Sequence, residues 1–432
     1  MSLRELFVIL TVVVVAFAAL FRPLWGVYGY VWFALMRPDY LSWSTNKYPF
    51  SMMLSIASLI GAVRYLPQLS VLFANPLARR LMLLVIPITL SVWFCEGRFL
   101  AQDRYSAFVR LCLMVLLIPL TVRTPRDVRI LTIIMALSLG GLGARFGLYG
   151  VAHGGVVFHE GIGDQYDNNT LGLVMAMSVP LCWYASKLTE WRWLSWILLG
   201  MVVTGTATVF MSNSRGASLS LAVGLALIVW RSKYKTAAAV GVAIAIIPLV
   251  YLVKDQYFAR MSTIGNYQEE KSAANRLLFA KAAVAMWRDY PVLGVGYGSR
   301  NYISLNWKYL GYEDEHGVHN TYLQLLVDSG IFAYLIYASL LFGTVVFLGK
   351  SAKWHRQVDN GWQYLPWALQ TALVVFLVGG TFGSCERMDI FYMLIMTAAA
   401  WWQVQYALDD AGDGFPSNES EGAFLPSPSG VA

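Results

Sequence analysis

The chain has 432 residues, of which 57% are hydrophobic and only 13% are charged. A soluble globular protein carries roughly 25% charged residues, so this composition excludes an ordinary soluble protein and favours repeated membrane spans. The formal net charge of +7 does not indicate nucleic-acid binding, because the basic residues fall between apolar runs, as in membrane proteins oriented by their charged loops.

Apolar runs follow one another along almost the whole chain. Backbone groups in lipid must be hydrogen-bonded within their own segment, so each run is predicted to be helical. We therefore predict an all-α integral membrane protein, a polytopic bundle of about 12–13 transmembrane helices. Arg22-Pro23, between the first two runs, is either a turn or a kink. The runs lie at 6–21, 24–36, 50–66, 81–95, 105–121, 128–151, 170–186, 193–211, 216–230, 236–253, 320–348, 362–380 and 388–407.

Polarity divides the chain into four parts. Residues 1–253 hold the N-terminal transmembrane helices, and residues 254–319 form the one long polar loop. Residues 320–408 hold the C-terminal transmembrane helices. Residues 409–432 are acidic and rich in Gly, Ser and Pro, so we expect a disordered cytoplasmic tail.

Basic residues mark one side of the bundle. Four clusters fall in alternate loops, at Arg79 and Arg80, at Arg123, Arg126 and Arg129, at Arg231, Lys233 and Lys235, and at Lys350, Lys353 and Arg356. The positive-inside rule places these loops in the cytoplasm. The long loop 254–319 is then expected in the periplasm of a bacterial inner-membrane protein.

Two arginines lie near the outer ends of predicted helices. Arg145 is close to the end of one, and Arg215 opens another within the polar run 212–216. A helix N-terminus with an adjacent guanidinium can bind a phosphate. The alternative is an interfacial arginine that reaches the lipid headgroups.

The long loop holds further candidate residues. Ser272 to Tyr290 reads as an amphipathic helix that carries Arg276, with Pro291 after its end. From position alone, Arg276 is more often a solvated charge than a ligand. The glycines at 294, 296 and 298 lack the strand and helix of a nucleotide-binding loop, so a turn is the better interpretation.

Two histidines and an asparagine complete the candidate set. A lone histidine is usually structural, but His319 at a membrane mouth beside basic residues could act as a general base, with His316 in support. Asn169, which opens another helix on the same side, could bind sugar hydroxyls. The outer loops carry no Asp-x-Asp or His/Asp cluster, so no metal and no cofactor is expected.

The order of these motifs resembles the O-antigen ligase and polymerase superfamily. The matching residues are Ser214-Arg215-Gly216, Arg276, Pro291, Gly294, Gly296, His319-Asn320 and Gly330. Phe21-Arg22-Pro23, Met36-Arg37-Pro38, 146–150 and 260–264 extend the resemblance to the O-glycosylation ligases associated with exosortase systems. Nearly all of the chain before the tail is covered.

The resemblance implies a glycosyltransferase of the GT-C type in the inner membrane. Such an enzyme moves a glycan from undecaprenyl diphosphate to a lipid, protein or glycan acceptor at the periplasmic face, without a metal. By motif, Arg215 and Arg276 would hold the diphosphate, and His319 would act on the acceptor hydroxyl, with inversion at the anomeric carbon. Arg145, Asn169 and His316 would add substrate contacts. A polymerase of the same superfamily is an alternative, and a transporter of lipid-linked sugars is a less favoured one, because no paired internal repeats are visible.

Overall fold

The structure of the protein, a computed structural model, describes residues 2–41, 45–153, 167–244, 247, 251 and 271–411. The protein is 84% helical, and the described residues contain no strand. The predicted motif at 260–264 and the tail from 412 onwards lie outside the described residues. The helices are α1 (Leu3–Phe21), α2 (Pro23–Met36), α3 (Phe50–Ala62), α4 (Ser70–Ala74), α5 (Pro76–Phe94), α6 (Arg98–Thr121), α7 (Pro125–Ala152), α8 (Asn168–Leu188), α9 (Arg192–Met211), α10 (Arg215–Arg231), α11 (Lys235–Ile244), α12 (Lys271–Asp289), α13 (Arg300–Leu305), α14 (Trp307–Leu310), α15 (Thr321–Val358), α16 (Tyr364–Gly379) and α17 (Asp389–Ala411).

Within the described ranges, 8 helices are long and apolar enough to cross a membrane. They are α1, α3 with the 3-10 turn that extends it to Gln68, α5, α6, α7, α8, α9 and α15. Helices α11 and α16 are shorter and also apolar. The prediction of an all-α polytopic membrane protein is confirmed.

Helix α8 lies at the centre of the bundle. In its most apolar stretch of 18 residues, 89% of the residues are buried. The helix packs against α7, α9, α10 and α16. Small residues allow close approach: Gly172 faces Ser212 and Ala217, so even a methyl group there would meet their side chains. This packing brings the N-termini of α8 and α10 together.

Several helix ends meet at one end of the bundle, here called the site end. The Ser214 hydroxyl, before α10, lies 2.9 Å from Asn169 Oδ1 in the first turn of α8. The Thr321 N–H, at the start of α15, donates to the Gly380 carbonyl after α16 at 2.7 Å. Thr321 Oγ1 also binds the carbonyl of Gly383, so the link between α16 and α17 is fixed to the start of α15.

Most of the basic clusters seen in the sequence lie at the opposite end. The Arg231 guanidinium binds the side chains of Thr371 and Gln370 between α10 and α16. Arg129, at the start of α7, pairs with Glu190 at 3.0 Å. These arginines join neighbouring helices at the end of the bundle away from the site end.

Helix α15 is kinked at Gly330, and the kink holds the glycine run of the long loop. Gly330 has φ of 75° and ψ of −176°, and a Cβ there would lie 2.0 Å from the Val292 carbonyl oxygen. Gly294 has φ of 69° and is equally tight against the backbone of Asp328. The Asp328 carboxylate also accepts the backbone N–H groups of Gly298 and Ser299. The glycine run is thus a turn sealed against α15.

Candidate functional site

His319 stands at the site end, directly before the start of α15. It has φ of 55°, a left-handed conformation that is uncommon for residues with a side chain. Asn320 caps α15 by accepting the N–H groups of Tyr322 and Leu323, both at 3.0 Å. His319 therefore lies between the cap of α15 and the rest of the long loop, and these neighbours hold its uncommon backbone conformation.

A buried network holds the backbone of His319. Its N–H donates to the Ser384 hydroxyl at 3.1 Å, and that hydroxyl lies 3.3 Å from Gln324 Oε1. The same amide oxygen accepts the Val318 N–H at 3.0 Å. Gln324 Nε2 donates to Asp328 Oδ1 at 2.8 Å, which fixes the orientation of the amide. Every member of this network has a partner, so it can hold His319 rigidly.

Helix α12 brings Arg276 to the histidines. Phe279, which is 2% exposed, packs with its ring centroid 6.1 Å from His316 and 6.5 Å from His319. Arg276 precedes it by one helical turn, so both residues lie on the same face of α12. The buried face continues through Ala282, Ala283 and Met286. Leu277, which follows Arg276, is 47% exposed.

The surroundings of His319 favour the neutral imidazole. Burial lowers its pKa below the ordinary value of 6.5, and the positive charge of Arg276 and His316 lowers it further. The carboxylates of Asp167 and Asp314 act in the opposite direction without reversing the shift. A neutral imidazole at pH 7 can accept a proton, which is what a general base requires.

His316 has a different environment from His319. Its side chain is 66% exposed, and its Nδ1 lies 2.6 Å from Asp314 Oδ1. The two imidazole centroids are 6.0 Å apart. His316 therefore adjoins the site from its solvent side.

Arg215 and Asn169 meet at the site end through Ser214. The Ser214 hydroxyl caps α10 by accepting the Ala217 N–H at 3.3 Å and also contacts Asn169 Oδ1. Arg215 follows in the first turn of α10 and is half-buried. Asp167, two residues before Asn169, caps α8 and adds to the electrostatic environment of His319. Two predicted residues thus share one helix junction.

Arg145 lies elsewhere. It lines a cavity of about 600 Å³ between α1, α2 and α7, together with Arg4, Trp32 and apolar side chains of α1. None of the residues that surround His319 lines this cavity.

A second cavity, of about 350 Å³, adjoins His319. Ser384, which accepts the His319 N–H, lines it, as does Asp167. Two arginines that the sequence analysis did not select, Arg104 and Arg387, also line it. The remaining lining residues are Ala107, Phe108, Leu111, Thr170, Cys385, Met388 and Asp389. Arg387 could have been selected from the sequence, because it is an arginine in the short loop between α16 and α17.

In the part of the chain that the structure describes, no three His, Cys, Asp or Glu side chains converge as a possible metal site.

Family models cover most of the chain in two adjoining blocks. The O-antigen ligase model matches residues 199–338, and a family of unknown function (DUF5935) matches residues 3–190. The O-antigen ligase block contains Arg215, Arg276 and His319 in the order that the resemblance required. Residues 199–338 therefore form an O-antigen ligase domain, which supports the resemblance to that superfamily. No curated protein matches the chain.

The O-antigen ligase domain indicates the general class of activity. The apolar helices and this domain point to a multi-pass membrane protein, and the domain suggests a glycosyl-transfer enzyme in general. The O-antigen ligase family implies a lipid-linked glycan and an acceptor as partners in general. Arg104 falls within the block of unknown function, and Arg387 lies beyond both blocks.

Proposed function

We propose that the protein transfers a glycan from undecaprenyl diphosphate to an acceptor hydroxyl at the periplasmic face of the inner membrane. The main support is the pairing of Arg276 with His319, whose pKa is lowered by burial and by that arginine. A neutral base beside a guanidinium is the combination that an acceptor hydroxyl and a diphosphate leaving group require.

The reaction is a single displacement. His319 accepts the proton of the acceptor hydroxyl while the oxygen attacks the anomeric carbon from the side opposite the diphosphate. The bond between that carbon and the phosphate oxygen breaks, and its electron pair remains on undecaprenyl diphosphate. The configuration at the anomeric carbon is therefore inverted.

Arg215 and Arg276 stabilise the charge that develops on the diphosphate. Charge-assisted hydrogen bonds of this kind contribute about 1.5–3 kcal/mol each, and more of that is realised in a site that excludes water. Because two guanidiniums can supply this stabilisation, we propose that the transfer needs no divalent metal.

The remaining predicted residues serve the substrates. Asn169 adjoins Arg215 through Ser214, and His316 adjoins His319, so we propose that both bind sugar hydroxyls. Arg145 lines a separate cavity, so its proposed contact is with a more distant part of a substrate. We also keep the assignment to the exosortase-associated ligases as a proposal, which rests on the N-terminal motifs.

The charge distribution supports the orientation. The basic clusters that lie opposite the site end belong in the cytoplasm by the positive-inside rule. The site end, with residues 271–320, then faces the periplasm, and the tail from 409 onwards is cytoplasmic.

The host cell provides the test. Cells in which the protein is replaced by its His319→Ala variant should accumulate undecaprenyl diphosphate-linked glycan and lose the glycosylated product. If the product is a glycosylated lipid or protein of unchanged glycan length, the protein is a ligase. If it is a lengthened lipid-linked glycan, the protein is the alternative polymerase. Unchanged levels of both donor and product would contradict the proposal.

A further inference from the structure

The cavity beside His319 combines two kinds of polar group. Arg104 comes from the outer turns of α6, and Arg387 comes from the link between α16 and α17. Asp167 and Asp389 line the same space. Arginine side chains only donate hydrogen bonds, and ionised carboxylates only accept them. A ligand that fits this cavity must therefore offer both acceptors and donors.

Arg387 is fixed in place by a neighbour. Its Nε lies 3.1 Å from Oε1 of Glu386, a residue that is fully buried. Burial opposes the charge of Arg387, but Glu386, together with Tyr297 and Asp328, outweighs that effect and raises the pKa of the guanidinium. Within the described ranges the guanidinium has no other hydrogen-bond partner. Because the planar guanidinium is held at Nε, its other N–H groups can make a bidentate contact with a ligand.

Arg104 has an unmatched charge. Among the described residues it has no hydrogen-bond or ion-pair partner, and repulsion by Arg387 and Arg300 outweighs the attraction of the nearby Asp103 and Glu386. Arg300 is paired with Asp103, whereas Asp167 is engaged as the cap of α8. Two like charges on one cavity wall are stabilised when an anion binds between them.

The dimensions suit a sugar. Ligand pockets span roughly 300–1,000 Å³, so a cavity of about 350 Å³ accepts a group at the small end of that range. Hydroxyl groups of a sugar donate to carboxylates such as Asp167 and Asp389. An acid group on the same sugar accepts from Arg104 and Arg387. A neutral sugar would leave the Arg104 guanidinium without an ion-pair partner among the described residues.

We propose that this cavity is a subsite for an anionic sugar, in which Arg104 and Arg387 bind a carboxylate or phosphate group of the glycan close to the new bond. The proposal rests on the proposed function, because the cavity adjoins His319 through Ser384. The anionic sugar belongs either to the donor glycan or to the acceptor. A bare diphosphate is not the occupant, since Arg215 and Arg276 hold it.

The test uses the full-length protein in nanodiscs and two soluble probes, methyl glucuronide and methyl glucoside. The wild-type protein should bind the glucuronide about tenfold more tightly or better, the factor expected of one charge-assisted contact. Arg104→Gln, at an exposed position with no partner to lose, should abolish that preference. Arg387→Lys keeps the charge beside Glu386 and should reduce the preference. Arg98→Gln is the matched control, because Arg98 is exposed on the same helix and stacks on Trp93 instead.

Binding of undecaprenyl diphosphate, measured on the same preparations, separates the two claims. It should be unchanged in Arg104→Gln. If Arg104→Gln lost diphosphate binding, the cavity would be the diphosphate site and the subsite proposal would be wrong. Equal affinity for both probes, or a preference that Arg104→Gln retains, would also overturn it. If the glucuronide bound but undecaprenyl diphosphate did not bind at all, the proposed function would fail and the subsite would stand.

Transfer kinetics identify which substrate carries the acid group. Glucuronide inhibition that is competitive with the lipid-linked donor assigns the subsite to the donor glycan. Inhibition that is competitive with the acceptor assigns it to the acceptor. Either pattern supports the subsite, and an absence of inhibition at saturating glucuronide contradicts it.

Discussion

Replacement of His319 distinguishes a general base from a structural histidine. General-base catalysis contributes about 10²–10⁴-fold in rate, so His319→Ala should lower kcat by about that factor. This corresponds to about 2.7–5.5 kcal/mol in the activation barrier. His316→Ala is the matched control. His316 is proposed to bind sugar hydroxyls and to take no part in the proton transfer, so His316→Ala should raise KM and change kcat by less than about fivefold.

The backbone of His319 allows a second comparison. Because its φ is 55°, a glycine at this position removes a steric cost of about 1 kcal/mol that alanine retains. His319→Gly should therefore be at least as stable to heat as His319→Ala and equally inactive. Added imidazole should restore part of the transfer in the glycine variant, because the space of the side chain is then open.

The assay for both comparisons measures donor binding and turnover on the same folded preparations. Undecaprenyl diphosphate should bind normally to all three histidine variants. Near-normal turnover by His319→Ala would remove His319 from the chemistry and leave the arginines without a base.

Four further predictions follow from the site and the topology. Arg215→Lys should lose most of its activity at equal expression, because an ammonium cannot reproduce the planar fork; wild-type turnover would make Arg215 a simple charge anchor. The transfer rate should fall as the pH drops through the pKa of His319, which lies below 6.5. Arg276→Gln removes a positive charge that lowers this pKa, so the acidic limb of the pH–rate profile should move to higher pH. An unmoved limb would show that Arg276 does not act on the titration of His319. Transfer should survive excess EDTA, and loss that a divalent cation restores would indicate a metal site. A cysteine replacing Lys308 should react with an impermeant reagent in intact spheroplasts, whereas one replacing Lys353 should react only after lysis; the reverse pattern would invert the topology.

Much of the fold could be predicted because lipid imposes helices. Each apolar run had to satisfy its own backbone, and the described parts of these runs are helical. The kink at Gly330 could not be predicted from the run 320–348. It depends on backbone contacts with Val292, far away in the polar loop.

The candidate site was only partly predictable. Arg276 and His319 follow one another in the long loop, so a motif could connect them. Arg104 could not be found in this way, because it stands on α6 and meets Arg387 only through the packing of α17 against α6. The hydroxyl of Ser384 was missed for the same reason: its contact with the His319 N–H joins two loops that sequence alone does not pair.

The most direct test of glycosyl transfer is the lipid product formed in proteoliposomes. Purified protein, supplied with undecaprenyl diphosphate-linked glycan and an acceptor-containing membrane extract, should release undecaprenyl diphosphate in a one-to-one ratio with glycosylated acceptor. Mass spectrometry of both products should show neither with His319→Ala. Movement of the intact lipid-linked glycan across the bilayer, with no release of undecaprenyl diphosphate, would contradict the account and identify a transporter.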